Sequence, residues 1–182
     1  MPRSSSPARL LVDGYNIIGA WSSLQQTCKR HDMDAARHEL IETLVNYSAF
    51  QGFETQVVFD AHYQNQSAHC QAYTSHLSAY YTDFAQTADT YIEKICASFQ
   101  RQPDCLHSRL IVATSDRAQQ LTVLGYGAEW MSAQRLNQDV NLIASRVKGK
   151  KRPQKQSRGR FLVNSLDPQA QQKLAQLRLG RR

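Results

Sequence analysis

No stretch of the sequence approaches the roughly 18 consecutive apolar residues that a membrane-spanning helix needs. The first residues, Met1-Pro-Arg-Ser-Ser-Ser-Pro7, lack the apolar core of a secretory signal. Cysteine is sparse, and its four occurrences (Cys28, Cys70, Cys96, Cys105) include no Cys-x-x-Cys pair. That spacing argues against a zinc site or a disulfide framework and suits a reducing compartment. With only 8 Gly and 5 Pro in 182 residues, collagen-like and low-complexity chains are excluded. No internal repeat is visible. The expectation is a cytoplasmic globular protein with no membrane contact and one domain (9–147) between a flexible N-terminus (1–8) and an extension (148–182).

Charge is distributed unevenly. Residues 148–182 carry 11 of the 22 Lys and Arg and a single acid, Asp167, a balance of +10; the rest carries 11 bases and 14 acids, a balance of −3. A mildly acidic body with a strongly basic arm suggests a polyanionic partner. The run from Lys148 to Arg160, with Lys150, Lys151, Arg152, Lys155 and Arg158 between them, has no interleaved apolar face. Nucleic acid or the ribosome is therefore favoured over a membrane surface.

Apolar patterning predicts alternating strands and helices. Strands are expected at Arg9–Asp13, Thr55–Asp60, Leu77–Thr82, Arg109–Ala113 and Ala128–Met131. A helix is expected from Asp34, as N-cap, to Gln51, with Ala36, Leu40, Leu44 and Tyr47 on one face and Gly52 past its end. Others are expected after Thr87 (Ile92, Ile95, Cys96, Phe99), over 117–124 up to Gly125, and from a Ser132 cap to about Val147. Ala61–Ser75 reads as a long loop or irregular helix. Asp167-Pro168 opens a last short helix bearing Leu174 and Leu177. Continuously apolar strands alternating with helices indicate a parallel sheet covered on both faces.

Three of those strands end in an acid: Asp13, Asp60 and Asp116. Asp89 falls in the first turn of the helix after Thr87. Singly, each has a plain structural explanation as a turn-former, cap or partner of a helix dipole. Ligands of open parallel sheets, however, bind beyond the carboxyl ends of the strands. Carboxylates gathered there raise one another's pKa unless a cation neutralises them. Such a set suits Mg²⁺ or Mn²⁺ completed by water, and metal-assisted phosphodiester hydrolysis is the chemistry that joins an acidic pocket to a basic arm. His62 and His69 have neither a Cys partner nor i,i+4 spacing, so RNA contact is favoured over metal ligation. Tyr15 and Tyr63 either stack bases or pack beneath the edge. Trp21 and Trp130 read as core or rim.

Five blocks in order carry a family resemblance: Leu11-Val-Asp-Gly-Tyr-Asn-Ile-Ile-Gly-Ala-Trp21, Val57-Val-Phe-Asp-Ala-His-Tyr63, Thr87-Ala-Asp-Thr-Tyr-Ile-Glu93, Val112-Ala-Thr-Ser-Asp116 and Gly125-Tyr-Gly-Ala-Glu-Trp-Met-Ser-Ala133. Over residues 9–147 the chain resembles the YacP-like branch of the NYN domain. The resemblance implies a PIN-like, three-layer α/β fold with a mostly parallel central sheet. It also implies a metal-dependent endoribonuclease acting on mRNA, with the ribosome as a further expected partner. Asp13 and Asp89 match the catalytic aspartates, and Asp60 and Asp116 complete the acidic edge; Asp13, Asp89 and Asp116 are the expected metal ligands. Asn16 matches the motif's asparagine and is expected, with Tyr15, His62 and the basic arm, to contact RNA. One departure stands out: many relatives have Glu-Thr-Ala-Asp where this chain has Gln86-Thr-Ala-Asp89. Either one metal position is weakened, or Gln86 keeps a hydrogen bond around the metal rather than to it. The alternative function is a non-catalytic RNA- or ribosome-binding protein that retains the fold.

Overall fold

Leu10, Leu11 and Val12 are all buried, yet they face opposite ways, because successive strand residues point to opposite sides of a sheet. That alternation organises the molecule, seen here in a computed structural model that describes residues 8–60, 67–101 and 108–151, the last four as backbone only. The expectations for His62, Tyr63, Arg152, Lys155, Arg158, Arg160 and the helix after Asp167 fall outside the described residues, as do the side chains of Lys148, Lys150 and Lys151. The chain divides into two units, 1–147 and 148–182.

In chain order the elements are β1 (Arg9–Asp13), α1 (Gly14–Ala20), α2 (Ser22–Arg30), α3 (Met33–Gln51), β2 (Glu54–Phe59), β3 (His69–Ala72), β4 (Leu77–Tyr81), α4 (Ala88–Gln100), β5 (Leu110–Ala113), α5 (Arg117–Gly125), β6 (Glu129–Met131) and α6 (Ala133–Lys151). One six-stranded sheet has the order β3-β4-β2-β1-β5-β6. Every pairing is parallel except β3 with β4. Leu10, Val12, Val57, Phe59 and Ile111 join the buried faces of α1, α2, α3 and α6 on one side. Leu11, Val58, Leu110 and Val112 meet Ile92, Cys96, Phe99 and Val123 of α4 and α5 on the other. Each large side chain so buried contributes about 1.5–3 kcal/mol. This is a three-layer, PIN-like α/β fold.

Several local expectations are corrected. Residues 14–32, to which the pattern assigned no element, form α1 and α2; α2 is so polar that Leu24 alone is buried. The N-cap of α3 is Asp32 rather than Asp34, because Asp32 Oδ1 accepts from the Ala35 N–H at 2.7 Å. Asp34 sits in the first turn and pairs with Arg37. Within the expected loop 61–75 lies β3, an exposed strand formed by pairing with β4. Gly125 lies inside α5, and it is Gly127 that takes the left-handed conformation, with φ of 78°. Beyond Val147, α6 continues to Lys151.

Packing also fixes where the functional edge can be. From β1 the chain builds outward through β2 and β4, then returns by α4 to place β5 on the opposite side of β1. The strand order therefore reverses between β1 and β5, the place where open parallel sheets open a crevice at their carboxyl ends. Gly14, the first residue past β1, lies close against the Phe59 ring. A Cβ there would come within 2.2 Å of Phe59 Cε1.

Candidate active site

The four strand-edge aspartates are placed by helix starts. Asp13 ends β1 and caps α1, with its Oδ1 accepting from the Asn16 N–H at 3.2 Å. Asp116 follows β5 and caps α5, accepting from the Ala118 and Gln119 N–H groups at 2.7 and 3.2 Å. Asp60 follows β2 and accepts from the Ala88 N–H at the start of α4. Asp89, in the first turn of α4, accepts from Gln119 Nε2 at 2.6 Å. The structural explanation available for each acid is thus real.

Capping does not account for their electrostatics. A carboxylate that only accepted N–H bonds would have its pKa lowered. Asp13 instead is pushed up from 3.8 to about 7, first by burial and then by the charges of Asp89, Asp60 and Asp116, against the lowering effect of the Asn16 N–H. Asp89 is raised as well, by burial and by Asp116 and Asp60, while the Gln119 hydrogen bond opposes the shift. Asp13 is only 8% exposed, whereas Asp89 and Asp116 are open to solvent, so one buried acid lies in the field of acids that reach the surface. They share a field without closing into a ligand shell: among the described residues, no group of three or more His, Cys, Asp or Glu side chains could hold a metal ion.

The switch point is stitched by uncharged groups. Asn16 Oδ1 accepts from the Ser115 N–H at 2.7 Å, tying the start of α1 to the β5–α5 connection. Ser115 Oγ accepts from the Ala133 N–H at 3.1 Å, and Trp130 Nε1 donates to the Thr114 carbonyl at 2.8 Å. Trp130 is a rim residue at 37% exposure, and Trp21 is core, donating from Nε1 to the Ala133 carbonyl at 2.8 Å. Tyr15 packs its ring edge on Phe59, with centroids 5.3 Å apart, and its hydroxyl accepts from Arg37 Nη1 at 3.0 Å. His69 stacks on Tyr81 at 4.7 Å, away from the acids in sequence and on the edge strand β3. Gln119 was not anticipated from sequence. Its only local signal is the Asp116-x-x-Gln119 spacing, which reads as a helix capping box.

The family model for the YacP-like NYN domain matches residues 10–179. The chain belongs to that family. It is 37% identical over 139 residues to the uncharacterized protein YacP of Bacillus subtilis, an alignment spanning 76% of this chain and 78% of that one. Among solved structures it is similar to Rae1 (YacP) from Bacillus subtilis, with a TM-score of 0.63, 30% identity, and coverage of 94% of this chain and 90% of the other. A mutant of the same protein matches with a TM-score of 0.66 at 29% identity, covering 92% and 98%. Membership of the YacP-like NYN family suggests a nuclease-like, RNA-related function. Among the described residues, no helix is long and apolar enough to cross a membrane.

Proposed function

We propose that this protein is a metal-dependent endoribonuclease that hydrolyses RNA phosphodiester bonds at the edge formed by Asp13, Asp60, Asp89 and Asp116, acting on mRNA in association with ribosomes in the cytoplasm. The observation that carries the reading is the Asp13 carboxyl, raised to about 7 by burial and three neighbouring acids despite its N–H partner. Such a field calls for a cation. The donors fit Mg²⁺ or Mn²⁺ in kind, since both prefer carboxylate oxygen. Mg²⁺ is commonly held by one or two carboxylates, with water and substrate phosphate completing its coordination, so the proposed role does not require a third protein ligand. Asp13 and Asp89 are the first candidates to hold it, with Asp116 beside them. When bound, the cation supplies water activation and charge neutralisation at the phosphate.

The remaining roles belong to the chain itself. Asn16 holds the β1 and β5 loops in register, and α1 and α5 fix the orientation of the carboxylates they begin with. Lys148, Lys150, Lys151, Arg152, Lys155, Arg158 and Arg160 provide the sequence-independent attraction for the RNA backbone that the acidic body lacks. The test is cleavage of RNA with and without ribosomes, each with Mg²⁺, Mn²⁺ or EDTA. Cleavage that requires a cation and disappears in Asp13→Asn supports the reading, and cation-independent cleavage overturns it.

A second reading has an observation of its own. Among the described residues no three ligands are gathered, which, with Gln86 standing where the family resemblance leads one to expect a glutamate, favours an RNA- or ribosome-binding protein without turnover. RNA binding with no cleavage under any of those conditions would establish it.

A further inference from the structure

Gln119 is buried at 7% exposure in the first turn of α5, where it lines a cavity of about 150 Å³ with Asp89, Ile92, Glu93, Ala118, Thr122 and Val123. Its amide is used unequally. Nε2 donates to Asp89 Oδ1 at 2.6 Å, while Oε1 is buried with no hydrogen-bond partner among the described residues. The amide NH₂ faces Asp89 Oδ1, the orientation that an ionised carboxylate, with no hydrogen to give, requires. A buried, unsatisfied carbonyl is destabilising and calls for an explanation.

Helix capping does not provide one. Gln119 is the third residue after the N-cap Asp116, and in a capping box that side chain returns to the N–H of the cap. Here the Asp116 N–H donates instead to Thr114 Oγ1 at 3.1 Å. The Gln119 side chain is released to cross to α4, while its own backbone N–H holds Asp116 Oδ1 at 3.2 Å. One residue thus touches two of the four acids, by its backbone on one side and its amide on the other.

We infer that Gln119 is a positioning residue that fixes the Asp89 carboxylate relative to Asp116, and that its orphaned carbonyl is retained for this purpose at the expense of stability. The inference rests on the nuclease reading of the same edge and names a residue that reading does not contain. Groups that orient a metal-binding carboxylate typically change metal affinity or activity by about 10- to 100-fold when removed.

The discriminating variant is Gln119→Met in the full chain, similar in shape and free of polar atoms, with Gln119→Leu as a second. Three quantities are measured: Tm without metal, the Mn²⁺ dissociation constant by calorimetry, and kcat and KM for RNA cleavage. Gln119→Met is expected to melt at or above the wild-type temperature, to bind Mn²⁺ about 10-fold more weakly, and to lose 10- to 100-fold in kcat with KM unchanged. A lower Tm with wild-type Mn²⁺ affinity and kcat would make Gln119 a packing residue and overturn the inference, as would failure of both variants to fold. If the wild type binds Mn²⁺ but does not cut RNA, the nuclease reading fails and the Mn²⁺ affinities of the variants still decide this one. A wild type that does neither overturns both.

Discussion

Asp13→Asn tests the buried carboxylate directly, since asparagine keeps the shape and an oxygen to accept the Asn16 N–H while removing the charge. In the folded protein the Asp13 pKa is about 7, against 3.8 for the exposed group. Above pH 3.8 the unfolded chain releases this proton while the native state keeps it until about pH 7. Stability from this group is therefore full below pH 3.8, falls as pH rises, and is lost once pH passes the folded value. With about 1.4 kcal/mol for each pKa unit, the deficit is about 2 kcal/mol at pH 5.5 and about 4 kcal/mol at pH 8. Asparagine carries none of it. Urea melts in EDTA should accordingly show the stability of Asp13→Asn relative to wild type rising by about 2 kcal/mol between pH 5.5 and pH 8. Adding Mn²⁺ at pH 8 should stabilise wild type, by about 2.7 kcal/mol at 100 times its dissociation constant, and stabilise the variant much less. RNA cleavage should be abolished in the variant. A stability difference that stays flat across this pH range would refute the acidic field, and cleavage at the wild-type rate would refute the mechanism.

Gly14→Ala should lower stability by about 1–3 kcal/mol in thermal melts, because the new methyl meets the Phe59 ring beneath the active edge. Gln86→Glu should tighten Mn²⁺ binding and lower metal-free stability if position 86 faces the crevice; calorimetry and melts that both match wild type would show that it does not. Changing Lys150, Lys151, Arg152, Lys155 and Arg158 to Gln should weaken RNA binding without changing the pH dependence of stability. If all five meet single-stranded phosphates, the slope of log K against log salt should fall by roughly 3.5.

What the sequence made legible is what burial makes periodic. β1, β2 and β5 are covered on both faces, so Leu10–Val12, Val57–Phe59 and Leu110–Val112 read as unbroken apolar runs. The stripe Ile92, Ile95, Cys96 and Phe99 marks α4 for the same reason, with Ile95 only partly buried. β3 was illegible because three of its four residues are exposed and its existence depends on β4. α1 and α2 were illegible because they are short and bury few side chains each. Among the site residues, the acids were visible because each stands beside a strongly patterned element. Gln119 was not, because its contact with Asp89 spans 30 residues and its spacing from Asp116 has an adequate local meaning.

That contrast bears on how a site of this kind is built. Each aspartate satisfies donors at a helix start, and each is also turned toward the same edge by the topology that puts β1 beside β5. A cap fixes a carboxylate in place without neutralising it, and burial, with repulsion from the neighbouring acids added to it, raises the pKa values of Asp13 and Asp89. The neutral groups then decide how close the charges stay. Asn16 and Gln119 are both amides, and each spans two connections: Asn16 from β1–α1 to β5–α5, and Gln119 from α5 to α4. An ammonium or guanidinium at either position would offset the acids' mutual repulsion and leave burial as the remaining cause of the raised pKa values. An amide can hold the same geometry while leaving the charge unanswered. Under the proposed function, charge neutralisation at this edge is therefore left to the cation, because the residues that brace it carry no charge of their own.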